Sequence, residues 1–257
     1  RAGEEADARI AGVERLLREE VGLVGAANMD YSRITARVAI VIDAIILGQL
    51  ADGSILGRLD EQGRPLFPLP FPDLVVDPGV FVPTQGSFLV WKHLFRTGIG
   101  AGERCLDVGC GSGILAVQLA LNGAARVHAI DVDGKAVANT LANAVRNGVG
   151  ERVTGAVADL FDWEPEERFG VVVASLYQLP VDPYSEPPGH RPLDYWGRTL
   201  LDHFLRLLPA LLDEGGRAYV MQLSIVGQLQ TERILESLGL VARVVDFSFF
   251  PFGPLFT

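Results

Sequence analysis

The sequence predicts an α/β fold with a doubly wound, mostly parallel sheet, and two observations carry this prediction. From Gly102 onward, strand-like apolar runs alternate with helix-like runs, a pattern that requires crossovers between parallel strands. A strand-like run at 104–108 also leads directly into Gly109, Gly111 and Gly113, and then into an apolar helix-like run. Such a turn lets a ligand approach the backbone at the carboxyl edge of the sheet, beside a helix N-terminus.

The periodicity of apolar residues gives the individual elements. Strands are predicted at 104–108, 126–131, 152–157, 170–175, 216–223 and 240–249. Helices are predicted at 112–122, 133–147, 194–212 and 227–238, with glycines near several of their ends.

The first 75 residues are predicted to be a small helical N-terminal region with a linker. Helical spacing marks 7–24 and 32–50, and proline and glycine become frequent at 63–86. We therefore expect one region at 1–75 and a ligand-binding domain at 76–257. The second helix is so apolar that the domain or a second subunit must cover it, so a homodimer through these helices is plausible.

Composition excludes some partners. The chain of 257 residues has a formal net charge of −10, which argues against binding a nucleic-acid backbone. The longest apolar run is too short to span a bilayer. The two cysteines, Cys105 and Cys110, are better explained as buried small residues than as a disulfide or metal pair, so a cytoplasmic location is expected. The histidines show no spacing typical of metal ligands.

Three acids indicate which nucleotide-like ligand binds. Asp107 precedes the glycines, Asp131 ends the second strand, and Asp159 ends the third, followed by Leu160. Each acid alone is more often a helix cap or a loop residue. In this order, and with G-x-G-x-G rather than G-x-G-x-x-G spacing, they favour S-adenosylmethionine over a nicotinamide cofactor. A nicotinamide oxidoreductase is the disfavoured alternative. Asp107 would meet the ammonium group, Asp131 the ribose hydroxyls, and Asp159 with Leu160 the adenine.

Several longer motifs resemble the Rossmann-like class I S-adenosylmethionine-dependent methyltransferases. They are LDVGCGSG (106–113), AIDVDGKAVANTLANAVRNGV (129–149), VADLFD (157–162) and LLDEGGRAYVMQ (211–222). Residues 77–90 and 191–216 are similar to the branch that contains release-factor glutamine methyltransferases and small-domain methyltransferases. The expected cofactor contacts are Thr84, Asp107, Gly109, Cys110, Gly111, Gly113, Asp131, Val132, Asp159 and Leu160.

The chain departs from that branch where the acceptor would bind. The branch has Asn-Pro-Pro-Tyr after the fourth strand, whereas this chain has Ser175, Leu176, Tyr177 and Gln178. A serine hydroxyl lacks the paired donor and acceptor of an amide, which argues against glutamine or adenine as the acceptor. We expect Ser175, Tyr177 and Gln178 to orient the nucleophile.

The segment after this motif is acidic and aromatic. Asp182 and Glu186 would receive a cationic substrate and Trp196 would pack against it, although solvated loop residues are the plainer interpretation. The sequence thus favours N-methylation of a small amino-acid-like, amine or guanidino metabolite. The alternatives are a protein side-chain N-methyltransferase and a non-catalytic cofactor-binding protein.

Overall fold

The computed structural model describes residues 54–55, 71–178 and 196–248. The chain divides into two units, residues 1–51 with 248–257 and residues 52–247, and the described residues other than Ser248 belong to the second. The predicted helices at 7–24 and 32–50 lie outside the described residues. The division at residue 75 therefore stays a prediction. Within the described ranges, no helix has both the length and the apolarity needed to cross a membrane.

A five-stranded parallel sheet forms the centre of this unit. Its strands are β3 (Arg104–Val108), β4 (Arg126–Asp131), β5 (Val153–Val157), β6 (Phe169–Ala174) and β7 (Leu212–Val220). They lie in the order β5-β4-β3-β6-β7, with every neighbouring pair parallel. A separate antiparallel pair joins β1 (Ser54–Ile55) to β2 (Leu74–Val75). The predicted fold class is confirmed.

Five α-helices are described around the sheet. They are α1 (Gln85–Thr97), α2 (Ile114–Leu121), α3 (Gly134–Arg146), α4 (Thr199–Leu211) and α5 (Gln228–Ser237). Four of them were predicted, and the predicted ends of α2, α3 and α5 lie within two residues of the observed ends. The fourth, α4, begins at Thr199 rather than 194, because residues 196–198 form a bend before it.

Helix α1 was not predicted from the sequence. Its run of Phe, Val and Trp has the composition of a strand, and intrinsic propensity is weak against packing. Here Trp91 and Leu94 are buried, and the indole Nε1 of Trp91 donates to Oε1 of Gln118 in α2 at 2.6 Å. Burial of this face against α2 explains why the segment is helical.

The predicted strand at 240–249 was wrong for the residues that the structure describes. Residues 241–248 form neither helix nor strand, and Val241 and Phe247 are exposed. Alternating apolar residues fit a strand only if a neighbouring strand and a core cover them. Asp246 of this segment instead lies 3.5 Å from Nζ of Lys92 in α1.

The amino and carboxyl ends of the strands, which form two opposite edges of the sheet, carry different kinds of side chain. At the amino edge, charged side chains pair across strands: Arg104 with Asp213 at 3.2 Å, Arg217 with Glu103 at 2.6 Å, and Arg126 with Glu167. The carboxyl edge carries the glycine turn and the acids that the sequence singled out. The ion pairs and the candidate site therefore lie at opposite ends of the same strands.

Candidate cofactor and acceptor site

The candidate site lies where the strand order reverses. Strand β3 is flanked by β4 on one side and β6 on the other, and helices follow β3 and β4 on the way to the next strand. In open α/β sheets, ligands bind in the crevice outside the carboxyl ends of the strands at such a point. A cleft there is lined by Asp107, the glycine turn and Ser175.

The glycine turn is built from three residues with positive φ. Gly109, Gly111 and Gly113 have φ of 72°, 54° and 85°, which side-chain-bearing residues adopt at a cost. The amides of Gly109 and Cys110 both donate to the carbonyl of Ile130, at 2.9 and 3.0 Å. A Cβ on Gly109 would approach Leu176 to 3.0 Å. The turn is thus held between β4 and the segment after β6.

Asp107 carries an unsatisfied oxygen at the wall of the cleft. Its Oδ2 accepts from the backbone N–H of Ala116 in the first turn of α2 at 2.9 Å, whereas its Oδ1 is buried and has no hydrogen-bond partner. Burial raises the pKa of Asp107 to about 7, with the nearby Asp131 adding to the rise and the Ala116 bond opposing it. An orphaned buried carboxyl oxygen fits a ligand that brings a donor or a positive charge.

This shift of the Asp107 pKa predicts a pH dependence of stability. In the unfolded chain the carboxyl ionises near the ordinary aspartate pKa of 3.8, and in the folded chain near 7. Between these values the folded state binds more protons, so the free energy of unfolding falls as pH rises, by up to about 4 kcal/mol. Asp107→Asn should lack this loss. In urea unfolding, the free energy of unfolding of the variant relative to the wild type should therefore be greater at pH 8 than at pH 5. Parallel pH profiles would contradict the prediction.

Asp131 holds the turn together from the second strand. Its Oδ2 accepts from the N–H of Gly111 and its Oδ1 from the N–H of Asp133, both at 3.0 Å. Its side chain is half-buried, and the next residue, Val132, exposes 61 % of its surface. A carboxylate beside an exposed apolar side chain suits the ribose and the ring of an adenosine group. Asp133 itself caps α3 through the N–H of Lys135.

The third predicted acid is part of a tight turn. Asp159 is exposed, and its Oδ1 accepts from the N–H of Phe161 at 3.0 Å. Leu160 is buried in the core below, with neighbours from β3 and α4, and its carbonyl lies 2.9 Å from Nε2 of His203. Phe161 is 46 % exposed, so it is the freer of the two apolar side chains beside Asp159.

Six residues that sequence reasoning did not name also line the cleft. They are Phe81, Pro83, Ser87, Ser112, Ile114 and Leu115. Ser112 is buried and its Oγ has no hydrogen-bond partner, which makes it a second unsatisfied group in this wall. The segment 77–90 was recognised from the resemblance, but nothing in its spacing singled out these side chains.

Two further predicted cofactor contacts, Thr84 and Cys110, differ in exposure. Thr84 is exposed and stands before the first turn of α1, with no side-chain cap bond. Cys110 is buried in the glycine turn, and burial together with the nearby Asp107 raises the pKa of its thiol.

The acceptor motif follows β6 directly. Ser175 is half-buried and shares the cleft with Asp107 and the glycine turn. Tyr177 is half-buried as well. Gln178 differs, because its side chain is only 2 % exposed and both of its amide atoms bond to backbone. Its Nε2 donates to the carbonyl of Met221 at 2.5 Å and its Oε1 accepts from the N–H of Leu223 at 3.0 Å.

The segment after β7 fixes the chain on both sides of residues 179–195. Gln178 bonds to Met221 and Leu223, and the buried guanidinium of Arg198 donates to the carbonyls of Val226 and Gly227 at 2.5 and 2.8 Å. Arg198 also pairs with Asp202 at 2.6 Å. Gln178 therefore positions the acceptor motif through the backbone.

The predicted substrate contacts are only partly described. Asp182 and Glu186 lie outside the described residues, and Trp196 is 71 % exposed. Among the described ranges, no group of three or more His, Cys, Asp or Glu side chains has the arrangement of a metal site.

The class of the protein follows from the sheet, the turn and a family match. Residues 84–181 match the family described as ribosomal protein L11 methyltransferase (PrmA). That span contains the glycine turn, all three acids and the acceptor motif. The chain is an S-adenosylmethionine-dependent methyltransferase, as its motifs predicted, and those motifs are similar to the class I enzymes.

Individual relatives differ in how much of their length is matched. A Methanocaldococcus jannaschii protein, provisionally named a protein N5-glutamine methyltransferase, is 28% identical over 66% of this chain and 86% of its own length. Ribosomal protein L11 methyltransferase of Methylococcus capsulatus is 52% identical over 33% of this chain, which spans only 31% of that relative. The L11 methylase of Lactobacillus delbrueckii subsp. bulgaricus, a solved structure, is 22% identical with a TM-score of 0.49, over 63% of this chain and 72% of that one.

The cofactor that this class uses is S-adenosylmethionine, which supplies a methyl group on a sulfonium centre. The residues present fit it, because an orphaned carboxyl oxygen and a glycine turn at a helix N-terminus line the cleft, and a second acid beside an exposed apolar side chain bonds to that turn. Asp107, the glycine turn, Asp131 and Val132 would hold it.

Proposed function

We propose that this enzyme methylates a nitrogen atom of a protein or peptide acceptor. The observation that carries the proposal is the position of Ser175, which follows β6 and lines the same cleft as Asp107 and the glycine turn. The names of the M. jannaschii and M. capsulatus relatives, both of which refer to protein methylation, support a protein acceptor. This choice reverses the preference for a small metabolite that the sequence alone favoured.

Methyl transfer requires these residues to align the reacting atoms more than to stabilise a charge. Methyl transfer is an in-line displacement, so rate comes from holding the attacking nitrogen at the right distance and angle. The Ser175 hydroxyl can accept a hydrogen bond from that nitrogen, and so orient its lone pair. The backbone that carries Ser175 and Tyr177 is held by Gln178, whose amide is fixed to Met221 and Leu223.

A small cationic amine is the second candidate acceptor. It is favoured by Asp182 and Glu186 in the acidic segment after the motif, and by the loss of the paired amide donor and acceptor at Ser175.

The experiment is methyl transfer from radiolabelled S-adenosylmethionine. Acceptors are recombinant ribosomal protein L11, a glutamine-containing peptide, a mixed ribosomal protein fraction and a panel of amines and guanidines. Label in protein that survives mild base supports the proposal, because methyl esters are lost under those conditions. Label only in the small-molecule filtrate supports the second candidate. Cofactor binding without transfer to any acceptor would indicate a non-catalytic binding protein.

Substitution of Ser175 tests its role directly. Ser175→Ala should lower kcat about tenfold to a hundredfold, which is the usual range for loss of one orienting hydrogen bond in a transition state. The Kd for S-adenosylhomocysteine should stay within about twofold, because Asp107 and Asp131 are untouched. The same fall in kcat with a Ser175→Thr control, which keeps the hydroxyl, would show that packing and not the hydroxyl matters.

A further inference from the structure

Three asparagines stand at four-residue intervals along α3 and its C-terminal cap. They are Asn139, Asn143 and Asn147. Four residues are close to one helical turn, so their side chains lie on the same face. Asn139 and Asn143 are each 1% exposed. Buried amides of this kind are costly unless all their hydrogen bonds are made.

These amides are satisfied by alternate residues of the extended segment 73–77. Their oxygens accept from the backbone N–H groups of Asp73 (Asn147, 2.9 Å), Val75 (Asn143, 2.9 Å) and Asp77 (Asn139, 3.3 Å). Their nitrogens donate back to carbonyls of the same segment: Asn147 to Asp73 at 2.7 Å, and Asn143 and Asn139 to Val75 at 2.8 and 2.9 Å. We call this arrangement the asparagine ladder.

The two periodicities explain why the ladder is regular. Four residues of α-helix rise about 6 Å. Two residues of extended strand rise about 6.6 Å, so every second residue of the strand meets the next asparagine. The helix face thus takes the place of a neighbouring strand on one side of segment 73–77, while β1 pairs with β2 on the other.

The same helix face holds the glycine turn. Besides Val75, the Nδ2 of Asn143 donates to the carbonyl of Ser112 at 2.8 Å. One turn earlier, the hydroxyl of Thr140 donates to the carbonyl of Gly111 at 3.0 Å. Asn143 is therefore a single side chain that bonds both to segment 73–77 and to the turn.

Segment 73–77 leads directly into one wall of the cleft. After Asp77 the chain makes a turn closed by the N–H of Val80 and the carbonyl of Asp77, at 3.0 Å. Phe81 and Pro83 then line the cleft opposite the glycine turn. The carbonyl of Phe81 lies 3.9 Å from the position of a Cβ on Gly111, so wall and turn are close.

We propose that the asparagine ladder sets the width of the cofactor cleft, with Asn143 as its main positioning residue. By binding the strand before the wall and the turn opposite it, Asn143 fixes the spacing between Phe81 and the glycine turn. The inference rests on the cofactor site and is independent of which acceptor is methylated.

The test compares two isosteric substitutions. An ionised aspartate keeps the accepting oxygen but cannot donate, so Asn143→Asp loses the bonds that Nδ2 donates to the carbonyls of Val75 and Ser112 and keeps the bond from the N–H of Val75. Asn147→Asp loses the bonds that Nδ2 donates to the carbonyls of Asp73 and Asn143, and Asn147 contacts neither the wall nor the turn. The probe is S-adenosylhomocysteine, measured by calorimetry, with melting temperatures and hydrogen–deuterium exchange of residues 78–83 recorded on the same ligand-free samples.

If Asn143 has a positioning role, the two variants should differ in the Kd for S-adenosylhomocysteine and in hydrogen–deuterium exchange. Asn143→Asp should raise the Kd about tenfold and speed exchange at 78–83, whereas Asn147→Asp should change the Kd less than twofold even if its melting temperature falls as far. Equal Kd changes in the two variants, or a lower melting temperature for Asn143→Asp with an unchanged Kd, would overturn the proposal. If Asn143→Asp does not fold, Asn139→Asp should raise the Kd about threefold, and an unchanged value there would overturn it. Failure of the wild type to bind the probe would count against the cofactor site itself.

Discussion

Asp131→Ala should raise the Kd for S-adenosylhomocysteine about a hundredfold, the largest effect on binding that we expect from one side chain. The carboxylate fixes the turn through the N–H groups of Gly111 and Asp133. Its removal loses that order as well as the acceptor that the family resemblance predicts for the ribose hydroxyls. Two charge-assisted hydrogen bonds are worth about 3 kcal/mol together, which corresponds to about a hundredfold. Isothermal titration calorimetry measures this change in the Kd for S-adenosylhomocysteine.

Asp133→Ala is the matched control, since the residue has the same charge and lies two positions away. Asp133 caps α3 through Lys135 at 2.9 Å, so its loss should cost about 1 kcal/mol of stability. The Kd should change less than threefold. A comparable loss of affinity in both variants would mean that net negative charge, rather than the Asp131 contacts, determines binding.

Gly113→Ala should lower the free energy of unfolding by about 3 kcal/mol. A Cβ at this position would meet Cα of Thr140 at 2.9 Å and Oγ1 of the same residue at 3.0 Å, and φ is +85°. The backbone strain costs about 1–2 kcal/mol, and overpacking against a helix backbone adds about 1–3 kcal/mol. Urea unfolding followed by circular dichroism gives the difference.

Gly123→Ala separates these two costs. Gly123 has φ of +93°, but a Cβ there would meet nothing within 4 Å. Its substitution should therefore cost only the backbone strain, about 1–2 kcal/mol. Equal losses at Gly113 and Gly123 would show that contact with Thr140 contributes nothing.

Much of the fold could be predicted because its central strands are buried on both faces. Val171, Val172 and Val173 of β6 are fully buried, and a continuous apolar run of this kind is typical of a strand inside a parallel sheet. Helix α1 and segment 241–248 could not be predicted, because their state depends on what covers them. The aromatic face of α1 packs against α2, whereas the apolar residues at 241–247 are exposed.

The side chains of the site could likewise be predicted only where motif spacing fixes their positions. Asp107 and Asp131 were predicted because motif spacing fixes their places at strand ends. The role of Gln178 was not, since its buried amide bonds to Met221 and Leu223, more than forty residues away in the sequence. Likewise, the spacing of Asn139, Asn143 and Asn147 is visible in the sequence, but the strand that they bind is not.

The asparagine ladder also affects where this domain can be truncated. The family match begins at residue 84, after segment 73–77. A chain cut at that point would lose the backbone partners that segment 73–77 provides to the amides of Asn139 and Asn143, each 1% exposed in the intact domain. The residues before the recognisable motif are therefore part of the hydrogen-bond network that covers this face of α3.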